Sequence, residues 1–409
     1  MGAGVVGVTT AYQLLKDGHE VVVLERREAA GLETSWGNAG MVAPGHAFAW
    51  SSPAAPLILL KSLLSKNQAL RFRPRADLQQ WSWSLLFLRQ CTHERARINT
   101  LRKHRLSLYS QTVMHETLAD CDIDYDRIDR GIVFFYRTAE SLERGVSHMQ
   151  ILAEDGQAIE VLDRDALVEL EPSLASAKDR IAGGIFCPDD ETGDCCKFTQ
   201  GLAGHAAQKG AEFHYETEIL GIGVEADRVA RIATSKGDFR ADAYVLALGN
   251  HCPVLARSIG VGLPIYPVKG YSMTIPVGNH PHPPTIGAVD EENLIAISRF
   301  GDRMRLTATA EISGYGTGHK PSDFDFMLSV AKELYPEGGD YDSAEPWAGL
   351  RPMTPEGTPL FGRKSYTNLY FNCGQGHMGW TMAHGSARIT ADLIAGKEAA
   401  IPLDGMTIN

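Results

Sequence analysis

Three glycines and one carboxylate near the start of the chain have the types and spacing of a nucleotide-binding site. Gly2, Gly4 and Gly7 fit the pattern G-x-G-x-x-G, and Glu25 follows about 20 residues further on. In such a loop the first glycine makes a tight turn, the second lets backbone approach a pyrophosphate, and the third lets a helix pack closely. The carboxylate accepts hydrogen bonds from a ribose. The pattern predicts a dinucleotide site; a glycine-rich turn without a ligand is the alternative.

Arg351 is a second candidate for chemistry, in a block rich in proline at 349–362. Its planar guanidinium can bind a carboxylate through two parallel hydrogen bonds, and a structural salt bridge is the alternative. Further along, Gly374 and Gly376 stand between a predicted strand at 368–372 and a predicted helix. Because this repeats the strand–glycine–helix order of the opening motif, both ends of the chain are predicted to contribute to one cofactor site.

The elements that position the opening motif are a helix predicted over 8–16 and a buried strand predicted over 20–24. Gly18 stands where a glycine commonly ends a helix. The motif normally follows a hydrophobic strand, but here Met1 occupies the place of that strand's last residue. Either the start is set too far downstream, or the chain lacks a central strand of its own sheet.

Several further segments predict strands or loops around a ligand. A strand over 241–248 ends at Gly249, where a turn is expected to bring backbone close to a ligand. The small-residue loop at 34–45 is interpreted as a lid, as a loop against a flat cofactor, or as an ordinary surface loop. A strand is predicted at 129–136, and strands of a mixed or antiparallel sheet are predicted at 267–275 and 303–310. This order predicts an α/β fold with a second, α+β domain inserted into the first.

Two neighbouring segments differ in polarity. The segment 56–91 is apolar and aromatic in patches, including Leu63 and Leu64. Its spacing predicts helices packed on a core, and the alternative is an amphipathic surface for a membrane or a quinone. The following segment, 94–109, is predicted to be a helix with a solvated basic face formed by Arg95, Arg97, Arg102, Lys103 and Arg105.

Composition limits the class of protein. The chain has 409 residues, 44% of them hydrophobic, which suggests a large core and two domains. A formal net charge of -11 argues against a nucleic-acid-binding protein. Seven cysteines without a C-x-x-C pair favour a reducing compartment over a disulfide framework. We predict no signal peptide and no membrane-spanning helix.

No metal site is predicted. The acidic turn at 189–194 lacks the ordered spacing of a calcium loop, so we expect it to cap a helix over 197–209. His280 and His282 lie among prolines and glycine, and no third ligand is spaced to complete a site with them.

Six segments taken together resemble a known family. They are GAGVVG at 2–7 with Glu25-Arg26, TSWGNAG at 34–40, DETGDC at 190–195, YPVKGYS at 266–272, GLRPMTPEGTP at 349–359 and GWTMAHGS at 379–386. As a set they resemble the small-subunit family of bacterial D-amino-acid dehydrogenases, within the wider D-amino-acid oxidase and glycine oxidase group of flavoproteins. The resemblance covers nearly the whole chain.

The resemblance implies a Rossmann-type FAD-binding domain, with its first strand truncated, and a second α+β substrate domain on a mixed sheet. The FAD-binding domain is expected at 1–50, 190–255 and 345–400, and the substrate domain at 51–189 and 256–344. The implied FAD-binding residues are Gly2, Gly4, Gly7, Glu25, Arg26, Ser35, Asn38, Gly40, Met41, Gly374 and Gly376. Those from Ser35 to Met41 lie near the flavin ring, and the last two approach its pyrimidine side.

The resemblance also implies an activity and a set of partners. Arg351 is similar to the arginine that holds the substrate carboxylate, and Tyr271 and His377 are candidate catalytic residues. The expected reaction is oxidation of D-amino acids to 2-oxo acids and ammonia, with hydride passing from the α-carbon to flavin N5. A quinone or respiratory acceptor is expected to take the electrons. The protein is expected to be cytoplasmic and peripheral on the inner face of the cytoplasmic membrane.

The chain departs from the family pattern in two segments. The family usually shows GHGTLGW where this chain has GQGHMGW at 374–380, which changes the polar groups beside the flavin through Gln375 and His377. His46 stands where a tyrosine is expected. Other functions also remain open: a secondary amine as substrate (D-hydroxyproline, sarcosine, glycine or an opine), an NAD-dependent dehydrogenase, or a flavin-binding partner subunit without its own chemistry.

Overall fold

The computed structural model describes residues 1–62 and 70–408. Its helices are α1 (Val5–Lys16), α2 (Ala55–Ser62), α3 (Leu78–Gln90), α4 (His93–Asp120), α5 (Ala139–Glu154), α6 (Arg164–Leu170), α7 (Cys195–Gln208), α8 (Cys252–Arg257), α9 (Asp325–Leu334) and α10 (Ala383–Ile394). Its strands are β1 (Val22–Leu24), β2 (Met41–Val42), β3 (Leu70–Phe72), β4 (Ile132–Tyr136), β5 (Glu160–Asp163), β6 (Gly183–Cys187), β7 (Glu191–Thr192), β8 (Glu212–His214), β9 (Ile219–Glu225), β10 (Arg228–Thr234), β11 (Gly237–Phe239), β12 (Tyr244–Leu246), β13 (Tyr266–Pro276), β14 (Gly287–Asp290), β15 (Ile295–Phe300), β16 (Arg303–Ile312), β17 (Glu345–Met353), β18 (Leu360–Arg363) and β19 (Leu369–Cys373).

A large mixed sheet forms one side of the molecule. Its strands run in the order β17-β13-β16-β15-β14-β4-β6-β5, and β3 pairs with β16 off this path. Most neighbours are antiparallel, whereas β14–β4 and β16–β3 are parallel. One face packs on a core that includes Phe135, Met273 and Leu306, together with residues of α9 such as Leu334. The predicted mixed sheet is therefore confirmed, and its other face is free to border a site.

Small parallel pairs and three helices form the opposite side. Strand β1 pairs with β8, and β12 pairs with β19, which continues to β18. Helices α1, α7 and α10 pack together beside them through residues such as Val8, Phe198 and Ala383. Parallel strands packed against helices form the α/β arrangement that the opening motif predicts.

Met1 lies in the gap between the two parallel pairs. The N–H of Gly2 donates to Leu24 O at 2.9 Å, and the Met1 ammonium donates to Val245 O at 3.0 Å. On the same side, the N–H of Ala247 donates to Met1 O at 3.1 Å. Met1 and Gly2 thus bridge β1 and β12 where the sequence pattern places a central strand. Burial lowers the pKa of the Met1 ammonium to about 6.

Helix α1 begins at the glycine loop because the loop brings backbone groups very close together. A Cβ at Gly7 would lie 2.0 Å from Gly2 O, so only glycine fits there. The helix-capping acceptor comes from a distant loop, since Ser35 Oγ accepts from the N–H of Val5 at 3.0 Å. The helix ends at Lys16, and Gly18 follows with φ of 88°, as predicted.

The predicted solvated helix at 94–109 is partly wrong. Helix α4 is much longer than predicted, and Lys103 is fully buried, whereas Arg95, Arg97 and Arg105 are exposed. Burial occurs because α4 passes beneath the loop 43–50, which covers one of its faces. Elsewhere the prediction of an acidic cap is confirmed, since Asp194 accepts from the first N–H groups of α7.

The described part of the segment 56–91 forms α2, β3 and α3, and the prediction of helices packed on a core is confirmed in part. Trp83 and Phe87 pack on the sheet, while Leu57, Leu60 and Leu85 are exposed. The predicted helical residues Leu63 and Leu64 lie outside the described residues. In the part of the chain that the structure describes, no helix is long and apolar enough to cross a membrane.

Candidate active site

One cavity of about 1400 Å³ connects the N-terminal glycine loop with the large sheet. Twelve of the fifteen residues predicted for the site border it: Gly2, Gly4, Glu25, Arg26, Ser35, Asn38, Met41, Gly249, Tyr271, Arg351, Gly376 and His377. Gly7, Gly40 and Gly374 do not border it and instead lie against backbone or side chains behind the wall. The volume exceeds what a small substrate needs and suits a dinucleotide together with a substrate.

The glycine loop and Glu25 form one end of the cavity. One Glu25 oxygen accepts from the N–H of Ala3 at 2.7 Å, and the other accepts from the N–H of Arg27 at 2.9 Å. A carboxylate has about four acceptor positions, so this one can still receive ribose hydroxyls. The first turn of α1 has no side-chain cap from its own N-cap residue, Gly4, and its positive end faces the cavity.

These features fit FAD. Gly2 has φ of 92°, and a Cβ there would lie 2.7 Å from Ala247 O, so the loop stays open only with glycine. Asn250 borders the same end and leaves its buried side-chain oxygen without a partner among the described residues. Arg26 lies at the rim, where it donates to Glu33 at 2.7 Å. An acceptor, an unpartnered polar atom and a helix N-terminus therefore surround the space for a nucleotide.

The small-residue loop at 34–45 is fastened to the large sheet. Asn38 Oδ1 accepts from the N–H of Gly40 at 2.8 Å, and Arg305 donates to Trp36 O at 2.9 Å and to Asn38 O at 3.1 Å. Burial lowers the pKa of Arg305 to about 10. Met41 continues this loop along the cavity wall. The role of Arg305 was not predicted from the sequence, because its partners are carbonyls more than 260 residues away in the chain.

Arg351 stands on β17 at the centre of the cavity wall. Its Nη1 donates to Thr309 O at 2.9 Å, and its guanidinium carbon lies 5.9 Å from the centre of the Trp50 ring. Among the described residues it has no carboxylate partner. Burial lowers the pKa of Arg351 to about 10. Because this value is still well above 7, the guanidinium is charged at neutral pH. A Cβ at Gly270 would lie 2.4 Å from the Arg351 Cζ atom, so glycine there makes room for the guanidinium.

A backbone irregularity aims the acceptor at Arg351. Thr309 has φ of 59°, at a shift in register between β13 and β16 beside Gly270 and Tyr271. Such bulges turn a carbonyl out of the strand ladder and are common beside active sites. Tyr271 borders the cavity, but its ring points to the core side of the strand, 5.5 Å from Phe324. The structure therefore does not bring the Tyr271 ring together with Arg351.

His377 lies on the other side of Trp50. The two rings stack with centres 4.5 Å apart, and the His46 ring stands 6.2 Å from His377. Burial first, and then the charges of Lys103 and other neighbours, hold the pKa of His377 well below its usual value. His377 is therefore neutral at neutral pH, and its buried Nε2 has no partner among the described residues.

Two residues of α4 fix the loop that presents these rings. Lys103 Nζ donates to Phe48 O at 2.6 Å, and Thr100 Oγ1 accepts from the N–H of Ala49 at 3.0 Å. Burial lowers the pKa of Lys103 to about 7. The spacing of Thr100 and Lys103 places both on one helix face, which is the feature by which sequence reasoning could have found them. In the described ranges, 1–62 and 70–408, no group of residues could hold a metal ion.

Comparisons with known proteins agree with this geometry. Residues 1–393 match the model of a family described as FAD dependent oxidoreductase (DAO). A protein named D-amino acid dehydrogenase 2, from Mesorhizobium japonicum, is 46% identical over 407 residues, covering 99% of this chain and 98% of that protein. A D-amino acid dehydrogenase from Paramagnetospirillum magneticum is 45% identical over 410 residues, covering 100% of this chain and 97% of that protein.

Solved structures show the same fold at lower identity. Glycine oxidase from Geobacillus kaustophilus has a TM-score of 0.75 at 23% identity, covering 100% of this chain and 96% of that chain. L-proline dehydrogenase from P. horikoshii has a TM-score of 0.74 at 18% identity, covering 99% and 95%. The likeness extends over both the glycine loop and the large sheet.

Proposed function

This chain belongs to the FAD dependent oxidoreductase family, and we propose that it is a D-amino-acid dehydrogenase that forms 2-oxo acids and ammonia. The fold alone leaves the handedness open, because structural neighbours include an L-proline dehydrogenase. The preference for D-amino acids is supported by the full-length relatives at 45–46% identity, which are named for that activity.

The observation that carries this proposal is the unpaired guanidinium of Arg351 in the cavity. A half-buried cation without a carboxylate partner is costly, and a substrate carboxylate would relieve that cost. The hydrogen bond from Nη1 to Thr309 O uses one N–H group and fixes the plane of the guanidinium. The other N–H groups are left to hold a carboxylate, which positions the neighbouring α-carbon.

We propose that FAD is held by the glycine-loop end of the cavity, through Gly2, Gly4 and Glu25, with Ser35, Asn38 and Met41 lining the way to Arg351. Bound FAD supplies the electron-accepting chemistry of the family. The chain's own residues bind and orient the substrate: Arg351 holds its carboxylate, and the stacked rings of Trp50 and His377 wall the site. Because His377 is neutral, it does not compete with Arg351 for the carboxylate.

We also propose that residues 1–50, 190–255 and 345–400 form the FAD-binding domain, and 51–189 and 256–344 the substrate domain. Strand β17 pairs with β13 of the large sheet, although it opens the third part of the FAD-binding domain. Arg351 therefore stands at the junction of the two domains, where substrate and cofactor must meet.

We further propose a quinone acceptor and contact with the inner face of the cytoplasmic membrane. The support is that α2 and α3 expose many large apolar side chains: Leu57, Ile58, Leu60, Leu78, Trp81, Leu85 and Leu88. Such a concentration of exposed apolar side chains in two helices is unusual on a monomer. Residues 56–97 contain eight Lys or Arg and two acidic residues, although the whole chain has a formal net charge of -11. Apolar and basic side chains together suit an anionic bilayer surface.

Oxidation of a substrate panel tests the activity. The protein loaded with FAD is mixed with an artificial acceptor dye and with D-amino acids, their L-enantiomers, sarcosine and D-hydroxyproline. We expect dye reduction with D-amino acids, with one 2-oxo acid and one ammonia formed for every two electrons that the dye accepts. Reduction by L-enantiomers alone, or by secondary amines alone, would contradict the proposal.

Vesicle binding tests the membrane contact. We expect the protein to sediment with anionic vesicles and much less with neutral ones. Leu57→Ser combined with Leu60→Ser should weaken binding, whereas Leu220→Ser, at an exposed leucine on β9, should not. Equal binding by all three proteins would show that α2 does not contact the membrane.

A further inference from the structure

The cavity has a polar branch that the proposed reaction does not use. We define the polar branch by five residues that border the cavity: His46, Phe48, Tyr136, His148 and Glu291. The Phe48 and His148 rings stack with centres 3.9 Å apart. The branch thus has aromatic walls and the carboxylate of Glu291, with Glu292 also bordering the cavity beside it, and it opens into the same space as Arg351.

Glu291 is the one acid of its run whose carboxylate has no strong partner. Asp290 forms an ion pair with Arg137 at 2.6 Å, and Glu292 accepts a hydrogen bond from Ser141. Glu291 has no hydrogen-bond donor within bonding distance among the described residues. Since a carboxylate in a cavity is stabilised only by donors or cations, this one is open to a ligand.

Two neighbours of Glu291 leave it available. His46 Nδ1 is 3.8 Å from its carboxylate, which is too long for a hydrogen bond. Burial lowers the pKa of His46 to about 4, so the ring is uncharged at neutral pH. The Tyr136 side chain is only 9% exposed, and its hydroxyl has no hydrogen-bond partner among the described residues. An acceptor and a hydroxyl therefore both face the branch without partners.

The branch is too far from Arg351 to hold the α-ammonium group of the same substrate. Arg351 is on β17, and Glu291 directly follows β14, four strands away in the sheet. At about 4.8 Å between neighbouring strands, the two backbones are roughly 19 Å apart. The α-ammonium is bonded to the carbon that carries the carboxylate, so it stays beside Arg351. A group that reaches Glu291 must stand at the end of a long side chain.

We propose that the polar branch binds the cationic end of the substrate side chain, so that long basic D-amino acids, of the lysine, ornithine or arginine type, are preferred substrates. This inference rests on the proposed function and on the anchoring of the carboxylate by Arg351. Glu291 supplies the opposite charge and Tyr136 a hydrogen-bond acceptor. The ring faces of Phe48 and Tyr136 add attraction for a cation.

The test compares D-lysine with D-norleucine, which has the same carbon chain without the terminal ammonium. For the parent protein we expect kcat/KM to be larger for D-lysine. In Glu291→Gln the ratio of the two values should fall about 10- to 100-fold, because the carboxylate is replaced by a neutral amide of the same size. Tyr136→Phe should lower the ratio about 3- to 10-fold, through loss of one neutral hydrogen bond.

Glu292→Gln serves as the matched control, since this neighbouring carboxylate is already bonded to Ser141. We expect its ratio to equal that of the parent. FAD content and Tm are measured for every variant, so that a folding defect is recognised. A parent protein that oxidises D-norleucine as well as D-lysine would overturn the inference and leave the proposed function standing. A protein that oxidises neither would contradict the proposed function itself.

Discussion

The two ends of the cavity are built in different ways. At the glycine-loop end, most of the groups that face the space for a dinucleotide are backbone amides and one carboxylate from the stretch Gly2 to Glu25, and Asn250 adds a side-chain oxygen. At the sheet end, single side chains come from strands and loops far apart in sequence, and Arg351 and Glu291 face the cavity without hydrogen-bonded partners of opposite charge. We infer that cofactor binding depends mainly on local backbone geometry, whereas substrate choice depends on charged side chains that the large sheet presents without partners.

The largest expected effect is at the sheet end, in Arg351→Leu. Truncating one partner of a buried charge pair costs about 2–5 kcal/mol, which is roughly 30- to several-thousand-fold in kcat/KM. FAD should remain bound, since Glu25 and the glycine loop are untouched. Steady-state kinetics and flavin absorbance measure the two quantities on one sample.

Arg351→Lys is the control for charge without the planar fork, and it should recover only part of the loss. Loss of flavin together with a lower Tm, at normal kcat/KM in the protein that stays folded, would mean that Arg351 is structural. That result would also break the contrast between the two ends.

The second largest effect is expected at the glycine-loop end, where a substitution should weaken FAD binding and leave the reaction with the substrate unchanged. Glu25→Gln replaces one acceptor oxygen by an amide NH₂, which faces an N–H of Ala3 or Arg27. The loss of acceptors is worth about 1–3 kcal/mol, so we expect the Kd for FAD to rise roughly 5- to 100-fold. At saturating FAD, kcat/KM for a D-amino acid should be near that of the parent. An unchanged Kd from flavin titration would show that Glu25 does not contact the cofactor.

A smaller effect is expected at Lys103, which holds the loop between the two ends. In Lys103→Met the carbonyl of Phe48 loses its donor, and the loop that presents Trp50 is less fixed. We expect KM to rise about 3- to 10-fold with little change in kcat or FAD content. Arg97→Met, at an exposed position of the same helix, should match the parent. A change in kcat alone would place Lys103 in the chemical step.

The smallest effect is a pH dependence. Burial raises the pKa of Glu291 to about 7. Because Glu291 must be deprotonated to attract a cation, the kcat/KM ratio of D-lysine to D-norleucine should rise as pH increases through 7. The ratio cancels the titration of the α-ammonium, which both substrates share. The other titratable groups around the branch are His46, His148, Tyr136, Lys103, Asp290 and Glu292. In Glu291→Gln the ratio should not vary over this range.

Sequence reasoning reached the glycine-loop end because each of its parts is local. The spacing of Gly2, Gly4 and Gly7, and the apolar run before Glu25, are properties of one short segment. Arg351 was predicted to bind a carboxylate because it lies in a proline-flanked block, but the strand that contains it, β17, was not predicted. The solvated face predicted for Lys103 was wrong because helix periodicity shows which residues share a face but not what covers it.

The sheet end could be predicted only in part, because local sequence patterns do not show which distant segments pair. The bulge at Thr309 and the strand order that separates Glu291 from Arg351 depend on pairing between distant segments. Tyr271 was expected beside the substrate, yet the alternation along β13 turns its ring to the core. A shift of one residue in register would reverse that outcome, and no local pattern fixes the register.

One measurement tests most directly whether Arg351 anchors the substrate carboxylate. The kcat/KM values of the parent and Arg351→Leu are determined for a D-amino acid and for its carboxamide, which lacks the charged carboxylate. We predict that the parent prefers the acid by about 30-fold or more, and that this preference falls to near one in Arg351→Leu. If the substitution lowers kcat/KM equally for the acid and the amide, Arg351 does not bind the carboxylate, and the account of the sheet end is wrong.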